Sequence, residues 1–278
     1  MRMRARKLLS AAEVADFRVA VYACYRAHGR SDLPWRKTRD PYRILVSEFM
    51  LQQTQVPSVL RKYEPFVRRF PDFEAIASSS LREVLAAWSG LGYNRRALHL
   101  MEAARIVVSE YGGKLPVSLD RLESLPGVGR ATAAAVAAFA FGKAHAFIET
   151  NIRTVFIHHF FAGRRRVSDG EILPLVERTL DRGRPRAWFQ ALMDYGVMLK
   201  KGRRNPSRAS ARHARQGKFE GSARQARGKI IRALLERPMS ERELAGVTAL
   251  ARPGLRALVR ELTRDGLIAS RRGRLSIA

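Results

Sequence analysis

Two glutamates stand in this chain where acids are unexpected. Glu48 lies in Ser47-Glu48-Phe49-Met50-Leu51-Gln52-Gln53-Thr54, a segment otherwise apolar at Ile44, Leu45, Val46, Phe49, Met50 and Leu51. A carboxyl group flanked by that much apolar surface is expected to be desolvated, which raises its pKa and keeps a proton available near neutral pH. Glu149 lies in Ala146-Phe147-Ile148-Glu149-Thr150-Asn151 and also follows an apolar run. Two carboxylates facing each other across a cleft are what glycosidic-bond cleavage needs. One protonates the leaving group, and the other offsets positive charge on the sugar. Both residues also have plainer readings. Glu48 fits the exposed face of an amphipathic helix, and Glu149 fits a helix N-cap or an ion pair with Arg153.

A third feature indicates what such acids would act on. Leu125-Pro126-Gly127-Val128-Gly129-Arg130-Ala131-Thr132-Ala133 is a Gly-x-Gly turn between two apolar segments. Glycine at 127 and 129 permits positive φ and a close backbone approach. The segment that follows begins with free amides, where an anion is favoured. Two helices joined in this way clamp a DNA phosphate without reading sequence; a ligand-free helix–helix turn is the plainer alternative. On such a scaffold the leaving group of a glycosidic cleavage is a base.

The elements that must carry these residues read as helices. Residues 11–28 place Val14, Phe17, Val21 and Cys24 at the spacing of a buried stripe, and residues 29–41 form a loop. Helices are predicted over 42–54, 56–69, 72–78, 80–88, 94–111, 118–124, 131–141, 147–162, 171–181 and 186–199, with the Ala-rich 131–141 segment central and buried. Period-2 alternation is nearly absent up to residue 199, so residues 1–199 are expected to form an all-α domain. Residues 200–229 hold 11 Lys/Arg and one acid, with almost no aliphatics. A stretch of this composition, taken as a linker over 200–227, reads as flexible and as a further contact to phosphates. Residues 228–278 carry three helices and a hairpin around Arg271-Arg272-Gly273, with Ser240 and Glu243 spaced as a capping box. That is the pattern of a small winged helix-turn-helix domain, whose third helix enters a major groove in DNA-binding examples and which elsewhere docks proteins.

Composition agrees. The 278 residues carry 52 Lys+Arg against 25 Asp+Glu, a formal net charge of +27, which implies a polyanionic partner, nucleic acid first. No run approaches the roughly 18–20 apolar residues of a membrane span. The basic start, Met1 to Lys7, lacks a signal-type apolar stretch, so a cytoplasmic, nucleoid-associated location is expected. The single cysteine, Cys24, excludes an intrachain disulfide and a four-thiolate site, and it reads as a buried small hydrophobe.

Five motifs in order carry a family resemblance: Leu33-Pro34-Trp35-Arg36, Ser47 through Val56, Trp88-Ser89-Gly90-Leu91-Gly92-Tyr93, Leu125 through Ala133, and Ala191-Leu192-Met193-Asp194-Tyr195-Gly196. Over about residues 10–200 the chain resembles MutY-type adenine DNA glycosylases of the helix-hairpin-helix, endonuclease III-like superfamily. The resemblance implies two helical lobes with a cleft, followed by the winged-helix-like α+β module. It implies that Glu48 is the catalytic acid, which protonates the base and later helps to activate water. Tyr93 would wedge into the stack, Gln52 would fill the duplex, and Asn151 would follow the catalytic acidic residue. Gly127, Gly129 and the adjacent amides of Arg130 and Ala131 would clamp phosphate, and Arg30, Trp35 and Asp194 would border the base pocket. Base extrusion costs a few kcal/mol, which wedge and clamp would offset.

The chain departs from the family at four places. Glu149 stands where the family has Asp, one methylene shorter. Ala131 stands where bifunctional members carry a lyase lysine. The four-cysteine iron–sulfur loop expected after Met198 is replaced by the basic stretch, so no cofactor or metal is expected. The C-terminal domain that reads 8-oxoguanine in the family is replaced by the winged-helix-like tail, for which Arg271 and Arg272 are candidate DNA contacts. The expectation is a monofunctional, monomeric glycosylase acting on double-stranded DNA that carries a mispaired or damaged base, with adenine opposite guanine or 8-oxoguanine foremost. Thymine or uracil mismatches and other damaged bases remain alternatives, as does a non-catalytic DNA-binding factor.

Overall fold

The N-terminal apolar stripe forms α1 (Ala11–His28). Ser10 opens it with a capping box, its hydroxyl taking the Glu13 amide while the Glu13 carboxylate takes the Ser10 amide. The computed structural model describes residues 9–202, 205–213 and 217–278. After a 3-10 turn at Pro34–Arg36 come α2 (Pro41–Leu51), α3 (Val56–Arg69), α4 (Phe73–Ser78), α5 (Leu81–Trp88), α6 (Arg95–Tyr111) and α7 (Leu119–Glu123). Then follow α8 (Arg130–Phe141), α9 (Thr150–Phe160), α10 (Asp169–Thr179) and α11 (Pro185–Lys201). The C-terminal part holds α12 (Ala223–Glu236), α13 (Glu241–Thr248), α14 (Arg252–Arg264), β1 (Ile268–Arg271) and β2 (Arg274–Ile277). Among the described residues the regular structure is helical apart from this small two-stranded sheet.

The chain forms two compact units. The first comprises residues 1–39, 117–120 and 129–215. Within it α11 packs against α1, α8 and α9, and α10 packs against α1 and α9. Its core is aromatic: Phe17 meets Phe156, Phe160 and Trp188 at ring-centroid distances of 5.3, 5.0 and 5.9 Å. As predicted, the Ala-rich α8 is buried through Ala133–Phe139. Cys24 is only half-buried, a correction to the expected core position, and its sulfur lies 3.8 Å from Met198 Sδ.

The second unit comprises residues 40–116, 121–128 and 216–278. Here α2 packs on α3 and α6, α6 on α4 and α5, and α12 on α5, α13, α14 and β2. The terminal module closes over Ile230, Leu234, Leu244, Leu262 and Leu267, all fully buried. The Ser240–Glu243 capping box forms as predicted. The hairpin pairs Ile268 with Ile277 and Arg271 with Arg274 around the Arg272-Gly273 turn. Arg82 of α5 donates to the carbonyls of Leu234 and Leu235 at the end of α12.

Three boundaries differ from expectation for local reasons. α2 stops at Leu51 because Gln53 takes φ +55, which no right-handed helix contains. α9 starts at Thr150 because Glu149 is its cap. The polar 200–229 stretch is partly organised: Asn205 caps a 3-10 turn at Pro206–Ala209, Ser210 bridges to Val167, and Ser222 caps α12 at Ala223. Capping hydrogen bonds here replace the apolar burial that the stretch lacks. Arg203, Arg204 and Arg215 of the predicted basic linker lie outside the described residues.

Candidate active site and nucleic-acid interface

In the second unit Glu48 sits partly buried on α2, one turn before Gln52, the residue that caps that helix. The chain then reverses through Gln53 at φ +55. A second reversal follows α5: Gly90 and Gly92 take φ +95 and +70, and Tyr93 takes φ +48. Two side-chain-bearing residues in the left-handed region mark turns that their surroundings over-determine.

Arg96 supplies that restraint. Its guanidinium donates to the carbonyls of Phe49 (2.6 Å) and Met50 (2.9 Å), to Thr54 Oγ1 (2.8 Å), and to the carbonyls of Leu91 (3.3 Å) and Gly92 (3.2 Å). One buried cation therefore binds the end of α2 to the Gly90–Tyr93 turn. Burial pushes its pKa down to about 10, which leaves it charged at neutral pH. Thr54 and the Trp88 indole add bonds to Leu91 and Gly92. Sequence reasoning missed Arg96; the only signal was its place three residues after Tyr93.

Gln52 reaches the carbonyl of Gly127 at 3.2 Å. Gly127 adopts φ +75, and a Cβ there would lie 2.8 Å from both His99 Cβ and Phe49 Cε1. Neither conformation nor space admits a larger residue. Arg271 and Arg272 stand exposed at the hairpin tip, Arg272 at φ +50.

In the first unit Gly129 is the N-cap of α8 and, lacking a side chain, makes no side-chain cap hydrogen bond. Arg130 is exposed and 3.5 Å from Asp120, and Ala131 is the second residue of the helix. Glu149 caps α9: one oxygen takes the amides of Asn151 (2.7 Å) and Ile152 (2.8 Å), and the other takes Asn151 Nδ2 (3.1 Å). The N-cap reading of Glu149 is thus the observed one. The other plain alternative, an ion pair with Arg153, is not formed: Arg153 is spent on Asp169 at 2.6 Å. Lys200, which sequence reasoning also missed, donates to Asn151 Oδ1 at 2.7 Å. Tight packing supports the group, since a Cβ on Gly196 would fall 2.3 Å from the Asn151 carbonyl oxygen. Burial pushes the Glu149 carboxyl above the usual range, while its two amide donors and the charges of Lys200 and Arg153 pull it back.

Arg30, Trp35 and Asp194 also gather in the first unit, with Arg36 added. The Asp194 carboxylate accepts from the Arg30 amide (2.9 Å), Arg30 Nε (2.7 Å) and both Arg36 terminal nitrogens (2.6 and 2.9 Å). Burial opposes its charge, but the Arg36 hydrogen bond and both guanidinia hold it below the usual carboxylate range. Both its oxygens are therefore engaged inside the protein. Trp35 is buried beside them on the 3-10 turn.

The chain's one cysteine supplies a single thiolate where a four-iron cluster takes four. Among the described residues no three His, Cys, Asp or Glu side chains converge on a metal position. No helix among them is long and apolar enough to cross a membrane.

The HhH-GPD superfamily base excision DNA repair protein family matches residues 46–179, which span Glu48, Tyr93, the Gly127 turn and Glu149. The adenine DNA glycosylase of Homo sapiens is 39% identical over 200 residues, covering 68% of this chain and 36% of the human protein. That of Mycolicibacterium smegmatis is 46% identical over 129 residues, covering 46% and 44% respectively. The chain thus spans between about a third and a half of the curated relatives it matches. A solved thermostable thymine-DNA glycosylase is 30% identical with a TM-score of 0.62, covering 69% of this chain and 90% of that one.

Proposed function

Because the chain belongs to the HhH-GPD superfamily of base excision DNA repair proteins, we propose that it is a DNA glycosylase that hydrolyses the N-glycosidic bond of adenine mispaired with guanine or 8-oxoguanine. One observation carries the reaction class. Glu48 lies one turn from Gln52, in a segment that Arg96 knots to the Tyr93 turn. An acid is thereby built into the same rigid piece as the groups suited to fill a duplex from which a base has left.

The chemistry divides between the two glutamates. Glu48 delivers a proton to the leaving base, which is a poor leaving group while neutral, and then assists water. Glu149 offsets the positive charge that develops on the deoxyribose. Its three N–H donors aim the carboxylate, and they favour the ionised form that this role requires. With Ala131 at the family's lyase position, no Schiff base forms there and the strand stays intact.

The adenine assignment rests on the likeness to curated adenine DNA glycosylases. The likeness to a thymine-DNA glycosylase along most of that enzyme's length supports a mismatched thymine as the second reading. Duplexes carrying single mismatches, resolved on gels before and after hot alkali, decide between them. Wild type is expected to release adenine, with strand breaks appearing only after alkali, and Glu48→Gln is expected to bind DNA without releasing a base. Release of thymine alone selects the second reading. A Glu48→Gln variant with wild-type single-turnover rate removes Glu48 from the mechanism, and breaks without alkali establish lyase activity.

A further inference from the structure

Residues 217–235 fall outside the segment that matches the family, yet they build one wall of a cleft of about 850 Å3 whose other wall lies inside it. The family-matched wall is the Gln52–Gln55 turn and the Gly90–Arg96 segment, and the new wall is Phe219 and one face of α12. Both walls belong to the second unit. The volume falls within the roughly 300–1,000 Å3 of small-molecule sites.

The lining has a definite chemistry. Phe219 leaves 59% of its surface to solvent, an aromatic ring that no core explains. Arg224 donates to the Tyr93 hydroxyl at 3.0 Å and to the Gly217 carbonyl at 2.8 Å, with its guanidinium 5.8 Å from the Tyr93 ring centroid. Arg232 lines the same wall. Arg227, by contrast, is spent on Glu261 and Asp265. Two aromatic rings, three glutamine amides and the guanidinium groups of Arg224 and Arg232 suit a nucleotide. The rings stack on a base, amide and guanidinium edges bond to its polar edge, and the cations neutralise its phosphate.

We propose that this cleft binds the nucleotide of the DNA strand opposite the one attacked, left unpaired when its partner is extruded, with Phe219 as stacking platform and Arg224 as the group that meets its base edge. The assignment rests on the reading of the chain as a base-extruding glycosylase. Gln52 and Tyr93 form the rim, and groups that enter the gap left by an extruded base necessarily face the base across it. The tie from Arg224 to Tyr93 brings the C-terminal segment to that point.

The test uses the full-length protein and a duplex with 2-aminopurine opposite a tetrahydrofuran abasic analogue, so no base release is needed. Wild type is expected to quench the fluorescence on binding. Phe219→Ala, at an exposed position that leaves the core untouched, is expected to lose most of that quenching and about tenfold in affinity. Arg224→Gln is expected to shrink the spread in single-turnover rates for adenine opposite guanine, 8-oxoguanine and cytosine by about tenfold. Quenching retained in Phe219→Ala together with an unchanged rate spread in Arg224→Gln overturns the proposal. So does an equal loss of affinity for abasic and fully paired duplexes, which marks a backbone contact only. Quenching without base release from any duplex would sink the glycosylase reading and leave the nucleotide site standing, whereas base release without quenching would do the reverse.

Discussion

Lys200 is the residue whose contribution is easiest to isolate. It holds the Asn151 amide oxygen, and the Asn151 amide nitrogen holds Glu149, so a cation steadies a carboxylate through one intermediary. Its charge also lowers the Glu149 pKa against the upward push of burial. Glu149 must be ionised to oppose charge on the sugar, so the rate should fall as pH drops through its raised folded-state value. Removing the lysine charge raises that value further. Lys200→Met is therefore expected to shift the acid limb of the single-turnover profile, taken from about pH 4 to about pH 8, toward higher pH, and Lys200→Arg is expected to restore it. A uniform loss of rate at all pH values with no shift of the limb would make Lys200 a packing residue only.

At the scale of elements the hairpin between α7 and α8 separates two roles that its glycines share on paper. Gly127 stands at φ +75 with no room for a Cβ, whereas Gly129 stands at φ −82 with nothing within 4 Å of one. Gly127→Ala is expected to cost about 1–3 kcal/mol of stability through backbone strain and overpacking, read as a lower melting temperature. Gly129→Ala is expected to leave melting unchanged and to weaken DNA binding, because the added methyl stands between the leading amides of α8 and a phosphate. Equal melting losses in the two variants would contradict this division.

Taken whole, the molecule has a charge surplus that exceeds what its ion pairs absorb, and the hairpin tip places part of that surplus in solvent. Arg271→Ala combined with Arg272→Asn removes two exposed charges; asparagine tolerates the positive φ at 272. If both arginines meet phosphates, the slope of log affinity against log salt should flatten by about 1.8. An unchanged slope would assign the terminal module to something other than the DNA backbone. Point variants suit this question better than truncation after Leu199, which would cut α11 short and strip α12 from α5.

The helical class, most helix positions and the capping box at Ser240 were legible in the sequence, because each depends on neighbours three or four residues away. So was the hairpin turn, since Gly127 answers to a backbone angle that few other residues adopt. The charge surplus announced a polyanion without saying which cations meet it. Arg96, Lys200 and Arg224 were not legible: each is one long basic side chain among 52, and nothing local separates it from the solvated rest. Their partners lie far along the chain, 47 residues away for Phe49, 49 for Asn151 and 131 for Tyr93. The ending of α2 at Leu51, the division of Glu149 from Arg153 and the closing of residues 217–235 against Tyr93 belong to tertiary structure for the same reason. Which polar groups lose water, and which partner replaces it, is set by packing between distant segments, and that packing has no period in the sequence.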